Sequence, residues 1–141
     1  MTDTTDLIGL RVPGGTYQLA GYENRILRDT VYAEESAHVH PIAAFIAAQR
    51  GMGVTVDEFF TLLHSSIDDG PVLAETTIEL LDDMVTDRRY DVDGGVENVV
   101  RKQGSAFGAF DLVTCAFRLL DGDDVVARVT NVYAIRRKES R

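Results

Sequence analysis

Phe110-Asp111-Leu112-Val113-Thr114-Cys115-Ala116-Phe117-Arg118-Leu119-Leu120-Asp121-Gly122-Asp123-Asp124-Val125-Val126-Ala127-Arg128-Val129-Thr130-Asn131-Val132-Tyr133-Ala134-Ile135 is the stretch that decides the class of this fold. Its apolar residues recur at every second position. Val113, Cys115, Phe117 and Leu119 share one face, and Val125, Ala127, Val129, Tyr133 and Ile135 share another, with Arg128 and Thr130 opposite. A period of two marks a strand with one buried face. Asp121-Gly122 between the two runs is a hairpin signal.

Working backwards, 90–101 alternates in the same way. Tyr90, Val92, Val96 and Val100 oppose Asp91, Asp93, Glu97 and Arg101, and Gly94-Gly95 in mid-run suggests a bulge. Residues 73–81 read as a further strand, and Tyr17-Gln18-Leu19-Ala20 as a short one after the Pro13-Gly14-Gly15 turn. Between them the spacing is helical. Residues 22–35 carry Ile26, Leu27, Thr30 and Val31 near one face, and 41–50 are apolar almost all round after His40-Pro41, which predicts a buried helix. Thr55-Val56-Asp57-Glu58 fits a capping box, followed by Val56, Phe59, Phe60, Leu63 and Ile67 at helical spacing until Asp68-Asp69-Gly70-Pro71 stops the run. Helices first and then a meander of strands is an α+β pattern, an antiparallel sheet packed on a helix.

The chain has 141 residues, 45% hydrophobic and 26% charged, which is the profile of one globular domain spanning 1–141. It has no run of eighteen apolar residues, so no membrane helix is expected. Met1-Thr2-Asp3-Thr4-Thr5-Asp6 lacks a basic-then-apolar leader, and a cytoplasmic protein is expected. Cys115 alone makes neither an internal disulfide nor a cysteine zinc site, and its apolar strand face marks it as core. The net charge of −9 argues against a nucleic-acid partner, because phosphate contacts need a basic face. The charge is uneven: −1 over 1–31, −11 over 32–100 and +3 over 101–141. An anionic ligand would therefore meet the C-terminal third, where Arg101, Lys102, Arg136, Arg137 and Lys138 are candidate phosphate contacts or simply solvated strand ends.

The order of elements resembles the hotdog fold, in which a curved antiparallel sheet wraps a central helix. Leu7-Ile8-Gly9 followed by Tyr17-Gln18-Leu19 resembles the opening of its MaoC-like branch. Asp69-Gly70-Pro71-Val72-Leu73, Arg101-Lys102-Gln103-Gly104, Phe110-Asp111-Leu112-Val113-Thr114 and Asp121-Gly122-Asp123-Asp124-Val125-Val126-Ala127 resemble that branch's sheet. The similarity spans roughly 7–137 and is distributed, so it speaks for the fold more than for the reaction. It implies an (R)-specific enoyl-thioester hydratase or 3-hydroxyacyl-thioester dehydratase, with helix 55–67 as the wrapped helix. It also implies a homo- or heterodimer in which two sheets join at an open edge.

In that branch an aspartate and a histidine five residues later bracket an Asn-Pro and share a water, doing general acid–base work. Tyr32-Ala33-Glu34-Glu35-Ser36-Ala37-His38-Val39-His40-Pro41 resembles this segment. Matching Tyr32-Ala33 and His40-Pro41 puts His38 in the aspartate's place and Ala43 in the histidine's, so both groups are replaced. A second register keeps a carboxylate and a histidine, as Glu35 and His40, and spoils the other matches. Two histidines with no cysteine and no third ligand do not make a metal site, and no pattern here calls for a cofactor. His64 is a helix-boundary residue.

Three readings follow. In the first, the chain hydrates or dehydrates an acyl thioester of coenzyme A or of an acyl carrier, using His38, His40 and Glu35, with Phe45, Met52, Phe59 and Phe60 along the acyl chain. In the second, it is a catalytically degenerate partner of a competent hotdog subunit. In the third, it is a hotdog thioesterase or a polyketide-tailoring dehydratase or cyclase, because a fold does not fix a reaction.

Overall fold

The computed structural model describes residues 4–34, 38–105 and 108–137. Five strands form one antiparallel sheet: β1 (Gly15–Gln18), β2 (Val72–Leu80), β3 (Arg89–Gly104), β4 (Gly108–Asp121) and β5 (Asp124–Arg136), in the order β1-β3-β4-β5-β2. Three α-helices lie between β1 and β2: α1 (Gly21–Thr30), α2 (Ile42–Arg50) and α3 (Val56–Leu62). The expected α+β class and the β4–β5 hairpin are both present, but the expected meander runs only through β3, β4 and β5, because β2 pairs with β5 and not with β3. Asp121 pairs with Asp124 across a two-residue turn in which Gly122 takes a φ of 61°.

The helix held by the sheet is α2, not the segment 55–67. It lies against all five strands. Five strands span about 19 Å, while an α-helix is about 10 Å across, so a sheet that meets one short helix on every strand has to curl round it. The residues of α2 explain the close approach. Ala43, Ala44, Ala47 and Ala48 are wholly buried, and methyl side chains let the helix backbone sit near the sheet. Helix α3 stops at Leu62, and His64 adopts a left-handed φ of 60°, which ends the run short of Ile67. The capping box is present: Thr55 Oγ1 accepts the Glu58 N–H at 3.1 Å, and the Glu58 carboxylate accepts the Thr55 N–H at 3.0 Å. That backbone hydrogen bond, helped by the Thr55 hydroxyl, holds the Glu58 carboxyl below its ordinary value.

Helix α1 is shorter than the run 22–35, and of the apolar residues in that run Leu27 packs against the core while others face outward. Ile26 is 62% exposed and Val31 40% exposed, while the buried residue of the helix is Asn24. The bulge of β3 is also displaced from the glycines. The register with β4 slips between Val96 and Asn98, so Glu97 is the extra residue. A bulge reverses the alternation beyond it. Val99 is therefore buried and Val100 exposed, the opposite of the expected phase. Gly94 has a different purpose, because a Cβ there would lie 2.4 Å from Phe117 Cδ1. Gly53 closes the turn after α2 with a φ of 89°, against the backbone of Gly14.

Candidate functional site

The loop that enters α2 is built from backbone groups held by α1. Asn24, almost fully buried, donates from Nδ2 to the His38 carbonyl at 3.0 Å and accepts the His40 N–H on Oδ1 at 3.2 Å. Arg28 donates from Nε to the same His38 carbonyl at 2.8 Å and from a terminal nitrogen to the Glu34 carbonyl at 3.2 Å. An asparagine with one donor and one acceptor on successive loop amides fixes the loop's path, which explains its burial in an otherwise exposed helix.

This brings the two histidines to the start of α2 in different states. His38 is exposed, whereas His40 is half-buried. His40 Nδ1 accepts the Ile42 N–H at 3.1 Å, one of the amides that the first turn of a helix leaves without an internal partner. The neutral ring with Nδ1 as acceptor carries its proton on Nε2. Ala43, the position matched to the family's histidine, is wholly buried. Glu35 lies outside the described residues. Among the described residues no group of three His, Cys, Asp or Glu could hold a metal ion.

The four apolar candidates belong to the core. Met52 and Phe59 are buried, Phe60 nearly so, and Phe45 is half-buried against the same cluster. Phe59 and Phe60 reach the sheet through their rings. Phe59 lies 6.2 Å from Phe117 and 5.6 Å from Tyr133, and Phe60 meets Tyr133 edge-on at 5.5 Å, centroid to centroid. Edge-to-face packing of this kind adds to simple burial.

Two polar clusters lie on the inner sheet face, joined by residues distant in the chain. Gln49 Nε2 donates to the Tyr133 hydroxyl at 2.8 Å, Asn131 Nδ2 donates to the same oxygen at 3.2 Å, and Thr76 Oγ1 donates to Asn131 Oδ1 at 2.5 Å. Cys115, opposite Asn131 in the register, is core as expected, and burial pushes its thiol up to about 12.

The second cluster centres on Asp111, which has no exposed surface. Arg101 Nε lies 2.5 Å and Arg137 Nε 2.8 Å from its oxygens, and the Thr4 hydroxyl donates to it as well. Arg137 also donates to the carbonyls of Leu63 and His64, tying the end of α3 to the sheet. Arg101 and Arg137 are therefore occupied by an internal carboxylate. They are neither solvated strand ends nor open phosphate contacts. His64 is an exposed boundary residue as expected, its Nε2 4.0 Å from Asp6. Period-two alternation turns Val113 and Cys115 inward, and Asp111 is the next inward position. An acid on that face, with arginines at 101 and 137, was the available signal.

No protein-family model matches the chain, and no curated protein matches it. Solved structures do. A MaoC-like dehydratase from Phytophthora capsici superposes with a TM-score of 0.72 at 11% identity, over 99% of this chain and 51% of that one. A chain of the HadBC (3R-hydroxyacyl-ACP dehydratase) complex from Mycobacterium tuberculosis gives 0.71 at 13% identity, over 94% and 99%. The chain has the hotdog fold. The ChsH1–ChsH2 complex of the same organism also matches this hotdog, at a TM-score of 0.61 and 12% identity over 90% and 89%. In the hotdog frame the loop 38–40 and the start of α2 lie at the N-terminal end of the wrapped helix, which is α2. No helix among the described residues is long and apolar enough to cross a membrane.

Proposed function

We propose that this chain is the non-catalytic hotdog subunit of a heteromeric hydratase or dehydratase acting on an acyl thioester of coenzyme A or of an acyl carrier. Hydration needs a base to take a proton from water as its oxygen attacks C3, and an acid to return a proton at C2. The observation that carries the reading is Ala43: a buried methyl group stands at the position matched to the imidazole and can transfer no proton. His38, matched to the carboxylate, is exposed. Two of the similar structures, HadBC and ChsH1–ChsH2, are heteromeric complexes, which supports a paired role.

One observation favours the reading in which the chain acts alone through His38, His40 and Glu35. His40 is held by its cap with a proton on Nε2, the disposition of a donor toward a bound oxygen. Hydration of crotonyl-CoA, followed by the loss of enoyl-thioester absorbance, separates the two. The purified chain is expected to show no turnover by itself, and activity is expected when it is co-expressed with a hotdog subunit carrying the intact aspartate–histidine pair. Turnover by the chain alone, abolished by His40→Ala, would establish the lone-enzyme reading instead. Release of free thiol from the same substrate would mark a thioesterase.

A further inference from the structure

A cavity of about 420 Å³ lies beside the short 3-10 helix Ile67–Asp69 that leads into β2. Its floor is apolar, made by Val72, Phe110 and Ala134. Side chains alternate across a strand. Asp111, Tyr133 and Ile135 turn inward and are buried, so Phe110, Ala134 and Arg136 turn outward, and Val72 stands opposite Ala134. The cavity is therefore on the outer face, with the sheet between it and α2. It is open: Val72 is 58% exposed, and a Cβ placed on Gly70 would meet no atom within 4 Å. A mostly apolar hollow of this volume, with a few polar groups at its rim, falls within the range of small-molecule sites.

The rim carries both signs of charge side by side. Because β2 and β5 are antiparallel and Val72 faces Ala134, the chain just before Val72 runs level with Arg136, and Asp68, Asp69 and Arg136 all line the cavity. Lys102 faces Phe110 from β3, on the side away from the aspartates. Arg136 already holds a partner within the protein, and the five donors of a guanidinium leave room for a carboxylate beside it. A purely anionic ligand would meet two carboxylates, and a purely cationic one would meet Arg136. Adjoining charges of opposite sign fit an ammonium and a carboxylate carried on one carbon, with an apolar body laid on Phe110, Val72 and Ala134. We propose that this cavity binds a free α-amino acid with a large apolar side chain, its ammonium on Asp68 and Asp69 and its carboxylate on Arg136. The cavity lies across the sheet from the loop 38–40, so its ligand is independent of the hydratase reading.

Isothermal titration of the full chain with L-phenylalanine tests it, with 3-phenylpropionate, 2-phenylethylamine and glycine as probes that each lack one feature. L-Phenylalanine is expected to bind saturably, and each of the three probes to bind about tenfold or more weakly, the loss expected for one charged hydrogen bond or one buried ring. Asp68→Asn/Asp69→Asn is expected to weaken L-phenylalanine by a similar factor. Ala134→Leu, which fills the floor from an outward position, is expected to abolish binding, and circular dichroism checks that both variants are folded. No saturable binding of L-phenylalanine, or a probe that binds as tightly as it does, overturns the proposal. Unchanged binding by either folded variant overturns it as well. The measurement uses no acyl thioester, so its outcome is separate from whether any subunit pair hydrates crotonyl-CoA.

Discussion

Asp111→Ala is expected to destabilise the fold by about 3–5 kcal/mol, the range for removing one partner of a buried ion pair. Asp111 has no exposed surface and receives Arg101, Arg137 and the Thr4 hydroxyl. Deleting the carboxylate leaves Arg137, itself 7% exposed, without a counter-charge, and releases the hold on α3 and on the N-terminal segment together. For a domain of this size the loss is a large share of the total. Urea denaturation at neutral pH measures it, and a loss below about 1 kcal/mol would mean that the arginines turn to solvent without cost.

The same site predicts a pH dependence. Burial pushes the Asp111 carboxyl up, but the hydrogen bonds from Arg101, Thr4 and Arg137 outweigh it and hold the group below its ordinary value. A carboxyl with a depressed folded-state pKa contributes stability above the unfolded value of about 3.9 and loses it as the pH falls through the folded one. Asp93, held down by the Arg118 guanidinium against a smaller opposing effect of burial, adds in the same direction. Wild-type stability should therefore fall steeply below about pH 4, and that of Asp111→Ala less steeply.

Phe59→Ala is expected to cost about 3–5 kcal/mol as a large-to-small core substitution, lowering the melting temperature by about 10 °C or more. Phe59 is 1% exposed and packs against Phe60, Phe117 and Tyr133. The measurement also separates two roles. A ring that closes the core leaves a cavity when removed. A ring that lines an acyl channel already faces open space, and its loss would cost little stability while admitting longer acyl chains. Thermal melts of Phe59→Ala showing a shift of under about 3 °C would return Phe59 to the substrate-binding set.

The sheet was the most legible part. Alternation is a local signal, and the hairpin, the four long strands and the buried faces of β4 and β5 follow from it. The resemblance gives the wrapped position to 55–67, and the residues do not correct it, because Phe59 and Phe60 form a stronger apolar stripe than four alanines do. Yet it is the small residues of α2 that permit contact with every strand. Period two gives the wrong phase for β3 beyond Glu97 because a bulge turns one residue out of the ladder without changing the composition around it. Asn24 and Arg28, which hold the loop before α2, bond backbone carbonyls and amides, and those partners have no sequence signature.

By itself the sequence determined the α+β class, the antiparallel succession of β3, β4 and β5, the capping box at Thr55 and the segment where the two histidines fall. These depend on period, turn chemistry and short-range spacing, which neighbouring residues carry. Tertiary structure alone decided which helix the sheet encloses, that Arg101 and Arg137 converge on Asp111, that Ala43 is sealed in the core and that β2 lies at the sheet edge beside β5. Each joins residues far apart in the chain, or depends on how far one helix reaches across a curved sheet. Burial and pairing of that kind are properties of the packed molecule, and no local pattern encodes them.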